Sequence, residues 1–270
     1  MRIDCHTHAF ADKIADKAVS FMSEYYQISV PHQGRINELI KLSEEAHLDA
    51  VILLVAATNA EQVNPANNWM LNLKQTQTDS QTVRLIKFGA YHVDDQNWLA
   101  EINRLREHEI PGIKIHPEFQ QIDLADDRLL PFFEEVQKDF ILMIHVGDPE
   151  PSPNNYSTPA KIRRIMTLFP HLRIIAAHMG GYKYWEESLD ILAGRNLYLD
   201  TSSALAFMPD SLIKKIVNKH GTDKLLVGSD YPVITPAKGI ELVQQKMDWL
   251  TSNDIDNILG NNCAQLLGIA

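Results

Sequence analysis

Eight short runs of aliphatic and β-branched residues recur along this chain, and each is separated from the next by a stretch with helical spacing. The runs are Arg2–His6, Ala50–Ala56, Leu85–Tyr91, Gly112–His116, Ile141–Val146, Arg173–His178, Leu197–Thr201 and Leu225–Asp230. Several are apolar nearly throughout, as in Val51-Ile52-Leu53-Leu54-Val55 and Ile141-Leu142-Met143-Ile144. A strand with one wet face alternates. A strand buried on both faces does not, and that is the condition of a parallel sheet covered by helices. Between the runs, Ile36, Leu39, Ile40 and Leu42 lie close to one helical face, and Trp98, Ile102 and Leu105 repeat in the same way. So do Ile162, Ile165, Met166 and Phe169, behind a Thr158-Pro159 pair that reads as an N-cap with proline at the first helical position. Strands alternating with helices, without a composition break, predict an α/β fold: one (β/α)8 TIM barrel over residues 1–270. The competitor, an open doubly wound sheet, lacks the G-x-G-x-x-G or P-loop after the first strand. Thr58–Asn68 and Asp148–Pro159 read as long polar loops.

Charge narrows the partners. With 25 basic and 35 acidic residues the net charge is -10, and its field repels nucleic acid and anionic membrane surfaces. A small-molecule substrate is the expected partner. Two cysteines, Cys5 and Cys263, form no C-x-x-C motif. No apolar leader precedes the first strand and no run approaches a membrane span, so a reducing cytoplasm is expected.

Polar residues interrupt the apolar runs mostly at their C-terminal ends: His6 and His8, then His116, His145, His178, Asp200 and Asp230. In a (β/α)8 barrel that rim carries the active site. His6 and His8, two apart on an extended strand, put both imidazoles on one face and make half of a metal site. A third histidine and a carboxylate from other strands complete a set that suits Zn, Mn, Fe or Co better than Mg or Ca. Any one of these histidines alone is an ordinary hydrogen-bonded residue. A purely structural barrel would fill so many successive strand ends with apolar or small groups. Lys114 alternates with Ile113 and Ile115, so it points into the barrel with His116.

At this point the residues resemble a known family. Ile3-Asp4-Cys5-His6-Thr7-His8 is similar to the opening motif of the amidohydrolase superfamily. His178-Met179-Gly180-Gly181, Gly228-Ser229-Asp230-Tyr231-Pro232 and the closing Ile258–Leu267 segment resemble its amidohydrolase-2 branch. That branch holds aminocarboxymuconate-semialdehyde decarboxylase-like proteins, aromatic-acid decarboxylases and lactone-hydrolysing enzymes. The resemblance implies one divalent metal, zinc foremost, on His6, His8, His145 and Asp230, with His178 as acid/base. It leaves Lys114 to charge pairing, to a substrate carboxylate or to a second metal, and His116 to a group that supports the ligands, a substrate contact or a second metal. It implies homo-oligomers in many members, although no interface is legible here. Gly180 and Gly181 read either as a close approach to substrate or as a tight turn, and Asp200 either as a support for a ligand histidine or as a cap.

The expected activity is metal-dependent hydrolysis of a small carbonyl compound, a lactone, an amide or a related acid, with Asp230 and His178 moving protons. The alternative is non-oxidative decarboxylation of a small unsaturated or aromatic acid, which wants a cation from Lys114, Arg84 or Lys183. A non-catalytic metal-binding barrel is the third reading. The loop Asp148–Pro159, directly after His145, is expected to act as a lid, with Tyr156 as its substrate contact.

Overall fold

The computed structural model describes residues 1–73 and 83–269. Eight parallel strands follow one another in sequence order: β1 (Ile3–Thr7), β2 (Ala50–Leu54), β3 (Arg84–Ala90), β4 (Gly112–Ile115), β5 (Ile141–Ile144), β6 (Arg173–Ala176), β7 (Tyr198–Asp200) and β8 (Leu225–Leu226). The barrel is closed where the segment after β8 meets β1. The Cys5 amide donates to Val227 O (2.9 Å), Asp230 N to His6 O (2.8 Å) and His8 N to Tyr231 O (2.7 Å). Helices fill the crossovers, beginning with α1 (Asp12–Tyr26), α2 (Ile36–Glu45) and α3 (Val63–Asn72).

Period-two alternation sorts the strand residues into two layers. Ile3, Cys5, Ala50, Ile52, Leu54, Ile86, Phe88, Ile141, Met143, Ile175 and Leu226 pack inside the barrel, together with Cys263, Ala264 and Leu266 from the end of the chain. Val51, Leu53, Ile113, Leu142, Ile144 and Ile174 face outward onto helix residues such as Leu39, Met70, Leu105, Ile162 and Ile216. Burial of each such side chain contributes roughly 1.5–3 kcal/mol.

β1 breaks the alternation. Asp4 pairs with Val51 but Thr7 pairs with Leu53, so one extra residue is inserted in β1. A bulge of this kind re-aims the side chains that follow it. Ile3 and Cys5 stay inside the apolar core, and His6 and His8 still turn into the barrel mouth, which strict alternation after Ile3 would forbid.

Two expectations are corrected. The segment Thr58–Asn68 is not a loop. Asn59 caps a single turn by accepting from Gln62 N (3.1 Å), and α3 then buries Val63, Asn67 and Met70. These lie at i, i+4 and i+7, and the polar Asn and Gln around them hide the face. The strands also stop short of the rim residues: β4 ends at Ile115, β5 at Ile144, β6 at Ala176 and β8 at Leu226. His6 lies within β1, whereas His8, His116, His145, His178 and Asp230 sit on the segments that follow their strands. Among the described residues no helix is long and apolar enough to cross a membrane.

The chain's end explains the closing Ile258–Leu267 motif. Asn257–Asn261 makes a wide π turn, the Val227 amide donates to Ile258 O (2.9 Å), and Asn262 Nδ2 donates to Thr222 O (2.7 Å) and Leu225 O (2.9 Å). A Cβ on Gly260 would stand 2.2 Å from Met1 O and 2.8 Å from Ile3 N. Backbone cannot yield as a flexible side chain can, so Gly260→Ala should push β1 away and lower stability by about 2–3 kcal/mol. Urea unfolding reads this as a lower midpoint; an unchanged midpoint would show that β1 shifts freely.

Candidate active site

The rim residues are carried on unusual backbone. His178 (φ 61°), Met179 (φ 56°), Ser203 (φ 46°) and Asp230 (φ 60°) all adopt left-handed conformations. Such positions cost of order 1 kcal/mol each and cluster at functional sites. They turn the chain sharply out of the strand, so that the side chain of His178 or Asp230 lies over the barrel mouth. Asp200 Oδ1 holds the turn at β6 by accepting from His178 N (3.0 Å), and Trp185 Nε1 donates to His178 O (3.0 Å).

Hydrogen-bond partners assign the imidazole tautomers. His6 Nδ1 lies 2.9 Å from Asp200 Oδ2 and His8 Nδ1 lies 3.2 Å from Leu54 O, both acceptors, so each Nδ1 carries the proton and each Nε2 is bare. Those bare nitrogens stand 3.2 Å apart. Asp230 Oδ1 lies 3.4 Å from His6 Nε2 and 3.5 Å from His8 Nε2, while Ser203 Oγ donates to Oδ2 (2.5 Å). Three lone-pair donors thus converge, with the Lys114 amine 3.4 Å from His6 Nε2 as the proton donor beside them, and a cation between the three would relieve their mutual repulsion. Ligands about 2.1 Å from a tetrahedral ion stand roughly 3.4 Å apart, so the spacing fits a divalent metal. Burial raises the Asp230 carboxyl, but the imidazoles of His6, His8 and His178 outweigh it and hold it well below the usual carboxylate range. Burial, then Lys114, push His6 down to about 4 against Asp200 and Asp230, so it stays neutral and fit for ligation.

Two further clusters of metal-ligand type are present among the described residues, and neither fits an ion. His6, His178 and Asp200 surround Ser202, whose hydroxyl fills their centre: it donates to Asp200 Oδ1 and meets both Nδ1 atoms at 2.9 and 3.0 Å. His116, Glu118 and His145 are committed elsewhere. Both Glu118 oxygens accept from Ser157, His116 Nδ1 accepts from Phe119 N (3.3 Å), and the His116 and His145 rings stack at 3.8 Å.

The expected ligand set is brought together in part. His6, His8 and Asp230 meet. His145 is turned toward His178, its Nδ1 2.9 Å from His178 Nε2 and its Nε2 3.0 Å from Gly147 O. Lys114 is fully buried with Nζ 3.4 Å from His6 Nε2, and no carboxylate lies within ion-pair reach among the described residues. Burial lowers its pKa to about 8 against Asp200 and Asp230.

Gly180 and Gly181 do not face a substrate. A Cβ at Gly180 would meet Ser188 Oγ at 2.3 Å, and one at Gly181 would meet Tyr184 at 3.0 Å, so they serve tight packing of the turn after His178. Arg84 is exposed at the N-terminal end of β3, opposite the rim, and Lys183 is tied to Pro149 O (2.8 Å). Tyr156 leaves its ring exposed and holds Leu124 N through its carbonyl (3.0 Å). The phenol that reaches the imidazoles is Tyr26 at the end of α1, 3.1 Å from His116 Nε2 and 3.4 Å from His145 Nε2. Sequence reasoning missed it because α1 went unread. It also missed Ser202 and Ser203, although the polar run Asp200-Thr201-Ser202-Ser203 after β7 signals them.

Asp200 fixes His6 and the His178 turn together. Asp200→Asn should weaken divalent-metal affinity about 10- to 100-fold, read by competition with a fluorescent chelator; unaltered affinity would leave Asp200 a mere cap. Glu118 gives a pH signature. Burial pushes its carboxyl up to about 7 against the Ser157 hydrogen bonds. The folded chain then holds a proton that the unfolded chain releases, so this contribution is complete below about pH 4.5 and lost as pH rises through about 7. It amounts to about 3 kcal/mol at most. Glu118→Gln should flatten the fall in stability across that window in denaturant melts; a slope equal to the wild type's would refute the assignment.

No curated protein matches the chain. Among solved structures it is similar to 5-carboxyvanillate decarboxylase LigW from Sphingomonas paucimobilis (17% identity, TM-score 0.70, covering 100% of this chain and 99% of that one). It is similar also to a dihydroxybenzoic acid decarboxylase from Polaromonas sp. JS666, solved with bound manganese and the inhibitor 2-nitroresorcinol (16%, 0.73, 99% and 97%). A third is a probable 2-pyrone-4,6-dicarboxylic acid hydrolase from Acinetobacter baumannii with citric acid bound (17%, 0.68, 99% and 99%). At such identities the likeness shows the fold. The family model described as Amidohydrolase matches residues 3–269, nearly the whole chain, and the protein therefore belongs to the amidohydrolase family.

Proposed function

We propose that this chain is a metal-dependent hydrolase of a small carbonyl substrate, a lactone, an amide or a related acid. His6, His8 and Asp230 hold one divalent cation, with His145 the candidate fourth ligand. Zinc is the first choice for two neutral imidazoles and a carboxylate, ahead of manganese, iron or cobalt. The observation that carries the reading is the meeting of three aproton donors, His6 Nε2, His8 Nε2 and Asp230 Oδ1, beside a second proton carrier, His178.

A divalent cation held there supplies a Lewis acid that polarises a substrate oxygen and brings the pKa of water toward ~7. Asp230, ionised and anchored through Oδ2 by Ser203, takes a proton from the attacking water. His178 keeps Nδ1–H on Ser202 O (2.9 Å), which leaves Nε2 as its working nitrogen, there to receive the proton that Asp230 has taken from water and hand it to the leaving group. His145 Nδ1, 2.9 Å from that nitrogen, orients it. Lys114, its Nζ 3.4 Å from His6 Nε2 and with no carboxylate within ion-pair reach among the described residues, is a counter-charge for an anionic substrate.

Lys114 also favours a second reading, decarboxylation at the same site. It would grip the departing carboxylate while His178 protonates the carbon left behind. Arg84 and Lys183 are too far from the rim or already engaged to share that task.

Elemental mass spectrometry of the purified protein should give about one equivalent of metal, lost in His6→Ala. In a panel of lactones, amides and aromatic acids, turnover should fall by at least about 10³-fold in that variant and release no carbon dioxide. Carbon dioxide release moves the assignment to decarboxylation. No metal after supplementation with zinc or manganese sinks both.

A further inference from the structure

Tyr26 is the one phenol whose hydroxyl reaches the rim imidazoles, and it comes from a helix outside the strand ends that supply the other groups. α1 stops at Tyr26, where Gln27 takes a left-handed conformation (φ 53°) and its amide closes on Ser23 O. The ring is held edge-on by Tyr25 (5.0 Å) and Tyr182 (5.9 Å) and lies 5.8 Å from Phe119. Tyr25 Oη donates to Asp148 Oδ2 (2.7 Å), which ties the end of α1 to the loop after β5.

The direction of the Tyr26 hydroxyl follows from proton counting. Phe119 N–H occupies His116 Nδ1 (3.3 Å), so the neutral His116 ring carries its proton on Nε2. That N–H donates to Tyr26 Oη (3.1 Å). Tyr26 therefore receives a hydrogen bond and retains its own O–H to give. The other ring nitrogen near it, His145 Nε2 at 3.4 Å, faces the Gly147 carbonyl at 3.0 Å and so carries a proton of its own, which leaves it no lone pair to take the Tyr26 proton. A hydroxyl that accepts from an imidazole N–H is a polarised, stronger donor. It sits beside stacked imidazoles at the mouth, on a ring too tightly caged to swing away.

Resting on the hydrolase or decarboxylase reading above, we propose that Tyr26, backed by His116, is a substrate-binding residue that donates a hydrogen bond to an oxygen of the substrate. It selects compounds that carry a carbonyl, carboxylate or phenolate acceptor at that point. His116 acts through Tyr26 as a positioning residue. The relay Phe119 N–H to His116 to Tyr26 thus gives the pocket a directional donor from α1, independent of the metal triad.

The test uses the manganese-loaded full chain and whichever panel compound the wild type turns over fastest. Tyr26→Phe keeps the ring and removes the donor. It should bind metal as the wild type does, melt within about 2 °C of it and lose about 10- to 100-fold in kcat/KM, the range for a hydrogen bond to a charged or developing-charge oxygen. Tyr25→Phe, which cuts the tie to Asp148 and leaves the donor, should stay within about threefold. Rates for Tyr26→Phe within twofold of wild type overturn the proposal. So does an equal loss in both variants, which would assign the effect to the position of α1, or a loss of metal in Tyr26→Phe, which would place it in the cation site. A wild type that holds metal yet turns over nothing in the panel overturns the catalytic reading itself and this proposal with it, an outcome distinct from the other three.

Discussion

A single carboxylate without access to water, Asp200, organises the mouth of this barrel. Its Oδ2 takes the Nδ1 proton of His6, and its Oδ1 takes the amides of His178 and Ser202 and the Ser202 hydroxyl. Burial works against its charge, yet His6, His178 and Ser202 together bring its pKa down to about 2. The saturation of both oxygens is what makes a buried charge tolerable. Once Asp200 is fixed, the tautomer of His6 is fixed, and with it the bare Nε2 that faces His8 and Asp230. The same carboxylate holds the left-handed turn that presents His178. A buried negative charge thereby sets the orientation of both His6 and His178.

Much of the fold could be read from hydrophobic pattern alone because the strands of a parallel barrel are buried on both faces. The runs around Val51–Val55 and Ile141–Ile144 have no other economical use. What periodicity could not reveal was local. Polar asparagines and glutamines disguised α3, whose buried face is only Val63, Asn67 and Met70. The bulge in β1 is invisible in a pattern that simply alternates around His6 and His8, since the insertion shows only in the pairing of Asp4 and Thr7 with β2.

The site was legible to the extent that its residues close strands. His6, His8 and Asp230 meet as their positions foretell, because His6 lies within β1, and His8 and Asp230 lie beyond strands, whose register is set by neighbours. His145 was assigned to the same cluster by resemblance, and its ring is engaged with His178 and Gly147 instead. Side-chain rotation of this kind is decided by local acceptors that no spacing rule encodes. Tyr26, Ser202 and Ser203 came from loops and from a helix end, where residue type carries less positional information than in a strand.

The seam between β1 and the segment after β8 has a consequence for synthesis. Asp4 accepts the amide of Ser229 across 225 residues of chain, and His6 and His8 sit on and just after the strand that waits. At roughly 5–20 residues per second, the ribosome needs about 10–45 s to supply the partner. For that interval β1 is an apolar strand with one edge unpaired, followed by two imidazoles whose carboxylate partners do not yet exist. Barrel closure, and with it the meeting of His6, His8 and Asp230, therefore waits until the segment after β8 has been made. The nascent chain is most exposed to aggregation while its most valuable strand is already made.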